Sequence, residues 1–297
     1  MPDFVVAGAP RCGTTSLHYY LGQHSRITMS AIKEPNYFLF DGPRRTPLVD
    51  EPSIIMKSVS DRDRYEALFA AGKDGIRGEV SPLYLYVPRT PELLADELDD
   101  PRVAVVLRHP VDRAWSHFLY TYRGPSESAE HRFAEAVAAE QGLDDTPYRT
   151  GTHLLRLGHY GRQLDRYQAA LGADRVWIGF HSDLDADAAG FVDDLLGFLG
   201  LPGEPLDTSV VHNAAMTPGG RLVQTMRSAV AKAQPVAKKV LPTAVTAKLA
   251  ELRTRRTRDE PVPQLSEALR ASLVEHYADT VGAVEDMTGR TLDDWRR

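Results

Sequence analysis

The chain has 297 residues, 42% of them hydrophobic, and a formal net charge of -6. The length and apolar share suit a continuous core, and the acid excess argues against nucleic acid as the main partner, so that any phosphate site must be local. Cys12 is the only cysteine, which excludes a disulfide framework and a cysteine-based zinc site; neither a signal peptide pattern nor a membrane span is visible, and a cytoplasmic location is the expectation.

Phe4 to Ala7 is a short apolar run that ends at a glycine loop, and Thr14 to Gln23 has a helical pattern opening with threonines. Helical stretches follow around 62 to 71 and 91 to 99, with a short strand at Ile76 to Val80 between them. Val103 to Leu107 is the next apolar run; it ends at Arg108-His109-Pro110 and leads into a helix over Val111 to Tyr122, where proline suits the first turn. Helical patterns over 129 to 141 and 159 to 171 precede a strand at Val176 to Phe180 and a helix from Ala186 to Leu199 that stops at Gly200-Leu201-Pro202. The segment 222 to 263, which carries the basic run Arg253 to Arg258, reads as a helical excursion, and Leu265 to Met287 as a closing helix. No fixed-period repeat divides the chain, and 1 to 297 reads as a single domain.

Strands alternating with helices predict the α/β class, with a mainly parallel central sheet and helices on both faces. Such sheets bind ligands beyond the carboxyl ends of their strands. Gly8 to Thr15, Glu79 to Tyr86 and Arg108 to Ser116 all fall at those ends.

Gly8 and Gly13 bracket four residues between a strand and a helix, an arrangement that turns backbone N–H groups inward as an anion nest. A loop built for ATP or GTP ends Gly-Lys-Ser/Thr, its lysine reaching the terminal phosphates and its hydroxyl holding magnesium. Here Gly13 runs directly into Thr14, the only cation in the loop is Arg11, and the strand Val103 to Leu107 is followed by Arg108 instead of an aspartate. That pattern counts against a metal-dependent kinase of a small metabolite. A non-catalytic nucleotide-binding protein is the third reading.

On these residues the chain resembles the sulfotransferases that use 3′-phosphoadenosine 5′-phosphosulfate (PAPS), in particular their bacterial and heparan-sulfate-sulfotransferase-like branch. Gly8-Ala9-Pro10-Arg11-Cys12-Gly13-Thr14-Thr15-Ser16-Leu17 is similar to that family's phosphosulfate loop, and the segment from Leu107 to His117 is similar to its 3′-phosphate segment. Weaker similarities lie at Lys33 to Phe38, Gly78 to Tyr84, Tyr160 to Leu164, Gly219 to Arg221 and Gly289 to Trp295. The resemblance implies a P-loop sulfotransferase-like three-layer architecture and a sulfuryl transfer from PAPS that requires no metal. The acceptor it implies is a hydroxyl, less readily an amine, of a carbohydrate or secondary metabolite.

The resemblance also assigns residues. Arg11, Cys12, Gly13, Thr14, Thr15 and Ser16 would hold the 5′-phosphosulfate, Arg108 and Ser116 the 3′-phosphate, and Gly220 and Arg221 would touch the nucleotide from a late loop. Arg11 stands where the family usually places lysine; a guanidinium can meet charge on the leaving group but cannot donate a proton at ordinary pH. Glu34 matches the glutamate expected as the base, with Lys33 beside it near the sulfuryl group, and His117 and His212 are reserve bases. Glu79 matches a glutamate that the family follows with lysine, where this chain has Val80; Glu79, Ser81 and Tyr84 are expected to shape the acceptor cleft. Segments 39 to 60 and 222 to 263 have the irregular composition of acceptor-side loops. Cys12 is read as a small loop residue, not a nucleophile, and the run Arg253 to Arg258 as a solvated face.

Overall fold

The computed structural model describes residues 1–70, 72–122, 124–141, 153–210 and 262–297. Five strands form its main sheet: β1 (Phe4–Gly8), β2 (Ile27–Met29), β5 (Ile76–Val80), β6 (Arg102–Leu107) and β7 (Val176–Phe180), in the order β2-β5-β1-β6-β7 and all parallel. Central β1 has every residue buried, which is why it reads as an unbroken apolar run and not as an alternating one. Each of its valines contributes roughly 1.5–3 kcal/mol by leaving water. Val5 sits level with Glu79 on one side and Val103 on the other, so the three strands end together at one edge of the sheet.

The chain runs outward from β1 to β2, returns through β5, and then crosses to β6 and β7 on the far side. The strand order therefore reverses beside β1, where a crevice opens beyond the carboxyl ends. Helix α1 (Thr14–Gln23) starts in that crevice, and α5 (Pro110–Thr121) starts next to it. A two-stranded hairpin, β3 (Phe40–Asp41) with β4 (Thr46–Pro47), the one-turn helix α2 (Pro52–Ile55) and α3 (Arg62–Ala67) lie between β2 and β5 in the chain. Helix α4 (Thr90–Glu97) precedes β6, while α6 (Ala129–Gln141) and α7 (Tyr160–Leu171) precede β7.

The helix read from Ala186 to Leu199 is α9 (Ala188–Phe198), whose start is capped by the Asp187 carboxylate accepting the Gly190 N–H at 3.0 Å; a short helix that the sequence reading does not include, α8 (His181–Ala186), precedes it. The closing helix consists of α10 (Glu267–His276) and α11 (Ala278–Thr288), separated at Tyr277, whose buried hydroxyl donates to the Leu155 carbonyl at 2.7 Å. Around Tyr277 a second apolar cluster joins Trp115, Phe118, Phe133 and Leu154, and so fixes α5 and α6 against α10. The helix expected over 62 to 71 closes earlier, at Ala67. Residues 222 to 261 of the expected helical excursion, with Arg253 to Arg258, lie outside the described residues, as do Gly220, Arg221 and His212. Among the described residues no helix is long and apolar enough to cross a membrane.

Candidate functional site

Between β1 and α1 the loop turns through two left-handed residues, Arg11 at φ 71° and Gly13 at φ 81°. Glycine suits position 13 twice over, since that φ is costly for other residues and a Cβ there would stand 2.6 Å from the Leu184 side chain of α8. Helix α1 then begins with no side-chain cap and no acidic residue in its first turn. The positive dipole end of α1 faces the crevice, a condition that favours an anion there.

The left-handed turn at Arg11 carries its side chain across the crevice to α5. There Arg11 Nε donates to Ser116 Oγ at 3.2 Å, and the guanidinium lies 4.6 Å from the centroid of the Tyr120 ring. Arg108, at the end of β6, donates to the Arg11 carbonyl at 3.4 Å, and its own carbonyl accepts from the buried Tyr160 hydroxyl at 2.9 Å. Among the described residues neither Arg11 nor Arg108 has a carboxylate partner. Burial, and then the like charge of Arg108, hold the Arg11 guanidinium below its ordinary pKa, with the Tyr120 ring opposing. Two adjacent, unneutralised guanidiniums beside a helix N-terminus fit a polyanion. Such a donor set can meet phosphate or sulfate oxygens through charge-assisted hydrogen bonds.

The structure thus brings Arg11, Arg108 and Ser116 into one hydrogen-bonded group, with Cys12, Gly13, Thr14, Thr15 and Ser16 in the loop and first helical turn. Lys33 and Glu34 stand at the same edge, on the β5 side. Glu34 takes φ 60°, donates its N–H to the Val80 carbonyl at 2.9 Å, and forms an ion pair with Lys33. Its Oε2 has no partner among the described residues, and its side chain is 48% exposed, as a group meeting an incoming acceptor must be. Burial, and then the charge of Lys33, push His18 of α1 down to about 4, which sets Lys33 within electrostatic reach of α1.

Several expectations change. Glu79, Ser81 and Tyr84 are fully buried, so they cannot line an acceptor cleft. His117 is unsuited as a reserve base: burial, and then Arg113 and Arg11, push it down to about 3, and its Nδ1 faces Arg113 Nη1 at 3.3 Å. Tyr120, Tyr160 and His181 belong to the site but carry no role in the sequence reading. Tyr120 follows Ser116 by one helical turn, a spacing that places both on one face of α5 and was the available signal. His181 opens α8 at the end of β7, 3.5 Å from where a Gly13 Cβ would be, and accompanies Asp185 at 2.9 Å. Burial, followed by Arg108, holds it below its ordinary pKa.

Cys12 is wholly buried, with Sγ 3.7 Å from the Pro10 carbonyl. Burial pushes the thiol up to about 11, against the pull of Arg113 and Arg108, so it is protonated and unreactive at neutral pH. Iodoacetamide at about pH 8 is therefore expected to leave the folded protein unmodified while alkylating the urea-unfolded chain, as read by mass spectrometry. Rapid labelling of the folded protein would show that the loop opens to solvent.

No family model matches the chain. It is 26% identical over 154 residues to the membrane-associated sulfotransferase kil1 of Dictyostelium discoideum, covering 50% of this chain and 30% of that protein. It is also 26% identical over 216 residues to mouse heparan sulfate glucosamine 3-O-sulfotransferase 6, covering 72% of this chain and 56% of that one. The chain thus spans less than two thirds of the length of these curated relatives. Among solved structures, a sulfotransferase from Alicyclobacillus acidocaldarius superposes with a TM-score of 0.73 at 25% identity, covering 100% of this chain and 99% of that one. The five-stranded parallel sheet and the full-length likeness to the bacterial sulfotransferase give the chain a sulfotransferase fold, and in sequence it is similar to sulfotransferases.

Proposed function

We propose that the chain transfers a sulfuryl group from PAPS to a hydroxyl of a carbohydrate or secondary-metabolite acceptor. The observation that carries this reading is the adjacency of Arg11 and Arg108, without a carboxylate partner among the described residues, at the start of α1. PAPS supplies an activated sulfuryl group on a weakly basic 5′-phosphate leaving group. The chain's own part is to hold, orient and stabilise.

The N–H groups of the loop and of α1, from Cys12 to Ser16, grip the 5′ end. Arg11, held in place by Ser116 and the Tyr120 ring, meets the negative charge that develops on the departing phosphate. Being always protonated, it acts by charge and hydrogen bonding without giving up a proton. Arg108 and Ser116 hold the 3′-phosphate, Arg108 being steadied from behind by Tyr160. Glu34 takes the proton of the acceptor hydroxyl as the new oxygen–sulfur bond forms, and Lys33 fixes one of its carboxylate oxygens. Glycan chemistry for the acceptor is supported by the heparan sulfate and carbohydrate sulfotransferases among the relatives.

Incubation with PAPS carrying radiolabelled sulfate, in the presence of a chelator, is expected to label a small molecule or glycan in cell extracts. Mass spectrometry of the product should show the gain of one sulfuryl group. Label that moves only when magnesium is restored would contradict the metal-free transfer.

A further inference from the structure

We propose that Glu79 is a positioning residue for the base, setting the segment that carries Glu34 through a relay of hydroxyl groups; the proposal rests on the reading of Glu34 as the base. Glu79 lies in β5, wholly buried, one residue before the strand ends at Val80. Its carboxylate has no cation partner among the described residues. It is instead surrounded by three hydroxyls: Oε1 accepts from Tyr65 at 2.5 Å and from Tyr84 at 2.9 Å, and Oε2 accepts from Ser81 at 2.7 Å.

Two of those hydroxyls are also acceptors. The Asn36 N–H donates to Ser81 Oγ at 3.1 Å, and the Phe38 N–H donates to the Tyr84 hydroxyl at 3.1 Å. A backbone N–H can only donate, so each hydroxyl receives there and sends its single proton the other way, toward Glu79. A carboxylate is the acceptor-only group able to receive all three. The third hydroxyl, that of Tyr65, belongs to a ring stacked on Tyr37 at 4.2 Å with planes 9° apart. Glu79 therefore grips Asn36, Tyr37 and Phe38 in succession, without touching any of them itself.

That grip lies just downstream of the base. Glu34 and Asn36 both take left-handed backbone conformations, at φ 60° and 54°, which persist only where the surroundings over-determine them. One restraint on Glu34 is its N–H bond to Val80, on the strand that holds Glu79. The other is the pair of hydroxyl anchors at residues 36 and 38. Burial pushes Glu79 up to about 7 while the three hydroxyl bonds oppose it, so its ionised form depends on those same bonds. The relay thus converts one buried carboxylate into a fixed exit angle for the chain at Lys33 and Glu34.

Glu79→Gln tests this. The amide keeps the volume and one carbonyl acceptor but turns an N–H toward a hydroxyl that must also donate, so one anchor fails. The expected result is a turnover number lowered about tenfold to a hundredfold, the scale of a small misplacement of a reacting group, with unchanged affinity for 3′-phosphoadenosine 5′-phosphate. Hydrogen exchange measured by mass spectrometry should quicken about tenfold in peptides spanning 33 to 40, the order expected when a local anchor is lost, while β1 and β6 peptides keep their rates. Ser81→Ala, which removes one anchor without altering the carboxylate, should quicken the same peptides and serves if Glu79→Gln does not fold. Unchanged exchange at 33 to 40 in both variants, or an increase spread evenly over β1 and β6, would overturn the relay. Faster exchange at 33 to 40 with normal turnover would overturn the positioning role of Glu79, whereas normal turnover in Glu34→Gln would separately remove Glu34 from the reaction.

Discussion

Arg11→Ala is expected to lower turnover by about a hundredfold or more, the usual scale for losing one preorganised charge-stabilising donor, about 3 kcal/mol. The size follows from where the side chain is held. Ser116 and the Tyr120 ring fix the guanidinium before any ligand arrives, so no ordering cost falls on the reaction itself. Burial beside Arg108 also leaves it poorly neutralised, which strengthens its attraction for an incoming anion. Steady-state kinetics on purified variants, with nucleotide affinity measured in parallel, would check this. A near-normal rate would pass the charge-stabilising role to another cation, with Lys33 the first to examine.

Glu34→Gln is expected to leave nucleotide binding intact and to reduce transfer by about a hundredfold to ten-thousandfold, the range for a positioned general base. The substitution keeps the shape and the left-handed backbone at this position but removes the ability to take a proton. Glu34 is exposed, tethered at its N–H to Val80, and has an Oε2 without a partner among the described residues, which suits it to this work better than His117, whose pKa is pushed down by desolvation and by Arg113. Single-turnover measurements with saturating donor would separate the chemical step from binding. Retained transfer in this variant would disqualify Glu34 as the base.

Much of the framework is legible in the sequence because it rests on local rules. Continuous apolar runs mark β1, β6 and β7, and the boundaries of α1 coincide with the expected Thr14 to Gln23 because a glycine loop precedes its threonines. What escapes notice is short or settled by distant partners. Strand β2 has three residues and the strands of the β3–β4 hairpin two each, too few for any periodicity to show. The helix break at Tyr277 interrupts a pattern whose apolar spacing continues across it, and is set by a tyrosine reaching Leu155, while the six residues of α8 are too few for a helical period to show.

The same distinction holds within the site. The glycine loop between β1 and α1 and the place of Arg108 at the end of β6 are readable from residue type and order, whereas the contact of Arg11 with Ser116 depends on a left-handed turn that no local pattern announces. Glu79, Ser81 and Tyr84 mislead for a physical reason. Polar residues at a strand end next to Pro82 look like a solvent-facing rim, yet they satisfy one another and the backbone of residues 36 and 38, and so can be buried.

The proposed function requires this crevice to select a nucleotide phosphorylated at both the 3′ and 5′ positions. Titration calorimetry in the presence of a chelator is predicted to show binding of 3′-phosphoadenosine 5′-phosphate. Removing the ligand's 3′-phosphate should weaken that binding by about tenfold to a hundredfold or more, as expected when a charge-assisted contact worth about 1.5–3 kcal/mol is lost. Equal affinity for the two nucleotides, or binding that appears only with magnesium, would contradict the assignment of Arg108 and Ser116 and with it the metal-free grip on a sulfated nucleotide.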